Sequence, residues 1–67
     1  MKETARKFLE ELFECWCDAI EEGNEGLTKV FYNQFMGACD MYEKVFNETV
    51  YFRARARKIR YEENEAD

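Results

Sequence analysis

The residues best suited to chemistry stand in one short run, Glu14-Cys15-Trp16-Cys17-Asp18, where two of the three cysteines flank the only tryptophan. Paired thiolates bind soft metals or exchange a disulfide, and either use needs both sulfurs at one point. On a helix, residues two apart point about 200° away from each other, so Cys15 and Cys17 meet at no common ion without unwinding it. They read instead as small apolar residues on the two margins of a face centred on Trp16. Cys39 is the third thiol, placed where it could approach Cys15 or a second copy of the chain. The sequence has no histidine, the commonest zinc ligand. Neither metal nor cofactor is implied. No nucleophile and base pair or glycine-rich phosphate loop is present, so the expectation is a protein that is not an enzyme.

Charge offers two further constellations. Glu10, Glu14, Asp18 and Glu21, with Glu3, Glu11 and Glu22, fall on an arc of roughly 120° when placed on a helix, forming an acidic ridge opposite the apolar face. Such a ridge is either a solvated surface or a surface that docks on a basic groove, where spaced carboxylates imitate a phosphate backbone. The opposite sign is concentrated in one segment, Arg53-Ala54-Arg55-Ala56-Arg57-Lys58-Ile59-Arg60. Arg53, Arg57 and Arg60 share one side of a helix, while Arg55 and Lys58 occupy other faces. This basic stripe could grip phosphates, or pair with carboxylates through bidentate guanidinium geometry. Residues 1–52 sum to −6, residues 53–60 to +5 and residues 61–67 to −4. The acidic body and tail oppose nucleic acid by their mean field, so direct nucleic-acid binding is the minor expectation.

The elements that position these groups are helical. There is no proline, and apolar residues recur at spacings of three and four almost throughout, which predicts an all-α single domain over residues 1–67. A first helix over about 4–22 carries Ala5, Leu9, Leu12, Trp16 and Ala19 on one face. Gly23 then provides a left-handed cap, and residues 23–26 make the turn, with Asn24 or Gly26 able to open the next helix. Beyond it, Phe31, Phe35, Ala38, Tyr42, Val45, Thr49, Phe52, Ala56 and Ile59 continue the same alternation, which predicts one helix over about 27–62, followed by an acidic tail over 63–67. At 1.5 Å per residue the two helices would measure about 28 Å and about 54 Å. A hairpin of such unequal arms leaves the distal half of the second bare, so the expectation is a dimer. The alternative is a three-helix bundle broken near Asn47, which residues lacking glycine or proline make less favourable.

A second apolar line on the long helix strengthens the dimer expectation. Tyr32, Met36, Cys39, Phe46 and Val50 lie about a third of a turn from the main seam, and together with Phe52 and Ile59 they are the residues expected to meet a partner chain. Tyr51 and Tyr61 are the aromatic residues expected to be exposed.

A chain of 67 residues buries only about 60% of its unfolded surface and is marginal without support, which again favours oligomerisation. The N-terminus lacks the apolar run of a secretory signal, and no segment is long enough to cross a membrane, so a cytoplasmic location is expected. There the Asn47-Glu48-Thr49 acceptor pattern has no use for glycosylation. The leading functional expectation is a protein–protein interaction module that binds a basic nucleic-acid-handling protein through the acidic ridge. Inhibitors encoded by phages or mobile elements, anti-CRISPR proteins among them, share this size and charge, though no motif connects them to this chain. The alternatives are a small nucleic-acid-binding or regulatory dimer that uses Arg53 to Arg60, and a structural or assembly adaptor.

Overall fold

Three helices account for nearly all of the computed structural model, which describes the backbone of residues 1–65 and the side chains of residues 1–60: α1 (Lys2–Glu22), α2 (Glu25–Phe46) and α3 (Tyr51–Glu65). The expected tail over 63–67 begins inside α3, and its side chains, like that of Tyr61, lie outside the described residues. Gly23 ends α1 in the left-handed region at φ 73° and ψ 22°, its N–H donating to the Ile20 carbonyl at 3.0 Å while that of Asn24 donates to Ala19 at 3.0 Å. Asn24 then caps α2, its Oδ1 accepting from the Leu27 N–H at 3.0 Å. The tight connection makes α1 and α2 antiparallel neighbours.

The long second helix expected from the periodicity is broken. Asn47 adopts φ 54° and ψ 42°, the left-handed conformation, and its N–H donates to the Glu43 carbonyl. Asparagine enters this region more readily than other residues with a side chain, so the reversal needs neither glycine nor proline. Residues 47–50 carry the chain around. Helix α3 then returns along α2, with Arg60 at its far end lying over Tyr32 near the start of α2. The architecture is therefore the three-helix alternative, not the hairpin of unequal arms.

The core explains the arrangement. Leu9, Leu12 and Trp16 from α1 meet Phe35, Cys39 and Tyr42 from α2, while Val50 and Ala56 seal the third side and Ala19 is buried nearer the end of α1. Phe13 joins all three helices, its ring 5.9 Å from Trp16, 5.6 Å from Phe35 and 5.4 Å from Phe52. Tilted aromatic pairs at these separations add roughly 0.5–1.5 kcal/mol each beyond the area they bury.

The second apolar line is occupied from within. Val50 is buried, and Tyr32, Met36, Phe46, Phe52 and Ile59 all pack against the core. The residues assigned to a partner chain are thus partly buried within the single chain, Phe52 and Ile59 of α3 packing on the same core as Tyr32, Met36 and Phe46 of α2.

Candidate interaction surfaces

The break is held by polar groups that flank it. Glu43, near the end of α2, accepts from the Val50 N–H at 3.1 Å with one carboxylate oxygen and from Arg53 Nη1 at 2.9 Å with the other. Arg53 also meets Asp40 at 2.6 Å. Burial works against the guanidinium charge, but the Asp40 and Glu43 carboxylates outweigh it and hold the Arg53 pKa above its ordinary value. On the other side of the turn Glu48 accepts a hydrogen bond from Lys2 and another from the Tyr42 hydroxyl at 3.1 Å, with Arg6 at 3.8 Å. These partners, Lys2 foremost, pull the Glu48 carboxyl below the usual range although partial burial opposes them.

The residues of the basic stripe differ in their surroundings. Arg53 is ion-paired within its own chain. Arg60 lies 4.3 Å from the centre of the Tyr32 ring, and Arg55 lies 5.9 Å from that of Phe13. Cation–π contacts of this kind contribute about 0.5–1 kcal/mol at exposed sites. The three arginines thus straddle the inner face of α3 and fasten it to α1 and α2. Arg55, Arg57, Lys58 and Arg60 are all exposed, and only Arg53 is half-buried. The acidic ridge is different. Glu10, Glu14, Asp18 and Glu21 are all exposed, and none of them enters an ion pair among the described residues.

The thiols do not converge. Trp16 is buried to 1% exposure, while Cys17 is half-buried, Cys15 exposed and Cys39 buried on the other helix. All three are free. Burial pushes the Cys39 thiol up to about 11 and raises that of Cys17 as well. Cys15 therefore sits further out than a core residue, and it forms no disulfide with Cys39.

One surface went unnoticed in the periodicity. Between α1 and α2, on a side that α3 leaves uncovered, an apolar groove of about 380 Å³ is lined by Phe8, Gly37, Ala38, Met41 and Val45, among others. Phe8 is 54% exposed, Met41 65% and Val45 62%, and the stripe continues along α2 through Val30 at 48% and Leu27 at 42%. On α2 these residues fall within an arc of roughly 80° that is turned away from Phe35 and Cys39. The signal is present in the sequence, but the alternation of three and four passes through Val45 and draws it into the main seam, leaving Met41 isolated. Gly37 lies in the middle of this stripe. A Cβ built there would meet nothing within 4 Å, so the chain's own packing does not require glycine, and a mid-helix glycine costs about 1 kcal/mol relative to alanine.

No described helix is long and apolar enough to cross a membrane. Comparison with protein-family models, with curated proteins and with solved structures found no match for this chain.

Proposed function

We propose that this chain is a non-enzymatic protein–protein interaction module that self-associates and binds a basic protein surface through the acidic ridge of α1. The observation that carries the ridge reading is the contrast between the two charged constellations. The arginines at 53, 55 and 60 are engaged by the fold, whereas Glu10, Glu14, Asp18 and Glu21 stand in solvent without ion-pair partners among the described residues. Carboxylates repeated at three- and four-residue intervals along a helix present a line of negative charge, complementary in sign to the cationic side chains that line a nucleic-acid groove. An inhibitor that occupies such a groove, as a phage-encoded protein would, is one use of this surface. A nucleic-acid-binding dimer would use the exposed Arg55, Arg57, Lys58 and Arg60 against a body of net charge −6 over residues 1–52.

The experiment is capture of purified nucleases and nucleic-acid-binding proteins with basic surfaces on immobilised protein, repeated with Glu10→Lys, Glu14→Lys and Glu21→Lys combined. Retention that falls steeply with salt and vanishes in the triple variant, while its helical circular dichroism is unchanged, supports the reading. Salt-dependent binding to duplex DNA or RNA that is lost in Arg57→Glu with Lys58→Glu replaces it with the nucleic-acid alternative.

A further inference from the structure

The geometry points to a second copy of this chain as the occupant of the apolar face along Phe8, Val30, Gly37, Met41 and Val45, with two α2 helices crossing antiparallel between Gly37 and Ala38. The inference rests on the reading of the chain as a self-associating module, and moves its interface from the seam now covered by α3 to the opposite side of α2.

Three observations carry it. First, the stripe is self-complementary about its middle. A two-fold axis between Gly37 and Ala38 sets Val30 of one copy beside Val45 of its mate and Met41 beside the methylenes of Gln34. Second, Gly37 has open space where its Cβ would be, and a glycine at the crossing point allows two backbones to approach closely. Third, charge selects the orientation. Residues 1–7 with Lys44 and Glu48 sum to +2 at one end of the α1–α2 layer, and residues 18–29 sum to −3 at the other. An antiparallel crossing lays Lys7 and Lys44 over the end that carries Glu21, Glu22 and Glu25, whereas a parallel one stacks like charge on like. A molecule of 38 × 18 × 13 Å has room on one long side for the roughly 600 Å² per partner found at the lower end of specific interfaces.

Sedimentation equilibrium across a wide concentration range tests the proposal. The wild-type chain should approach twice 8.1 kDa, and Met41→Glu combined with Val45→Glu should weaken association at least a hundredfold while the helical signal persists, since both side chains are exposed in the single chain. Neutralising the middle of the ridge with Glu10→Gln and Glu14→Gln, which lie outside the charged ends that set the orientation, should leave the mass unchanged, which separates this interface from the ridge's own binding role. Register is read by oxidation in a Cys15→Ser background. Gly37→Cys should give a covalent dimer and Asn33→Cys should not, because a disulfide needs Cα atoms within about 7 Å. A wild-type mass of one chain at high concentration, or a dimer that survives Met41→Glu with Val45→Glu, overturns the proposal. Cross-linking at Asn33→Cys in preference to Gly37→Cys overturns the register.

Discussion

The Glu43 carboxylate bridges the turn between α2 and α3, holding Arg53 at 2.9 Å through one oxygen and the Val50 N–H at 3.1 Å through the other. A single side chain thus caps the incoming helix and anchors a guanidinium on its first turn. The contact is partly buried, so it is screened less than a surface pair. Hydrogen bonds to charged groups contribute about 1.5–3 kcal/mol, and helix caps about 1 kcal/mol.

Glu43→Ala should therefore destabilise the chain by about 2 kcal/mol, and Glu43→Gln by less, because the amide oxygen can still accept from Val50 while the ion pair is lost. Urea titration followed by circular dichroism measures both. Equal losses in the two variants would mean that the cap contributes nothing.

Asn47 is the second fastening of the same turn. Gly should be accepted at this position with little change, whereas Asn47→Ala should cost about 1 kcal/mol and lower the midpoint of thermal unfolding by about 4–8 °C, because a Cβ without a local hydrogen-bonding side chain is strained at positive φ. Scanning calorimetry of the two variants distinguishes them.

Helix α3 should open before the rest. Among the described residues only Ala56 within it, and Val50 just before it, are buried, whereas α1 and α2 together contribute seven buried residues. Native-state hydrogen exchange should show lower opening free energies for amides of residues 52–60 than for those around Trp16 and Phe35. Phe52→Ala should widen the gap, since it removes the ring that packs on Phe13.

The thiols and Glu48 give the pH dependence. Because burial raises Cys39 to about 11, its contribution to stability is complete below the unfolded thiol value, then declines as pH rises from there to the folded value and is flat beyond. Stability should fall between about pH 9 and pH 11, and Cys39→Ala should flatten that limb. Glu48 acts at the other end. Its lowered pKa means that its contribution is present above the ordinary carboxylate value and is lost as pH falls through the folded one, and Glu48→Gln should remove that part of the acid limb. At neutral pH, alkylation under native conditions should modify Cys15 first and Cys39 only as fast as the chain unfolds.

Much of the fold was legible in the residues. The apolar face of α1, the Gly23 stop and the Asn24 start each depend on side chains within four positions of one another, and such local preferences survive into the folded state. The placement of Cys15 and Cys17 on opposite sides of a helix also follows from local geometry alone. The error lay at residues 45–50. The alternation of three and four runs through Val45 and Thr49, yet both are exposed, so the seam is two separate seams that happen to share a phase. Periodicity cannot distinguish a helix that continues from one that stops and resumes in register.

What the sequence determined by itself was helix content, the first turn and the acidic ridge, since each is set by residues that are neighbours along the chain. Where the chain turns a second time was decided by tertiary contacts. Asn47 is tolerant of the left-handed conformation rather than committed to it, and the reversal is fixed by Glu43 reaching Val50 and Arg53, Glu48 reaching Lys2 and Tyr42, and Phe52 reaching Phe13. That choice packed the expected partner seam against the core, brought Arg53 to Asp40 and Glu43, and left the stripe from Leu27 to Val45 exposed among the described residues. The physical reason is distance along the chain. Contacts between Lys2 and Glu48, or Phe13 and Phe52, join residues whose proximity no local pattern encodes, and they are rewarded only after the loop between them has closed.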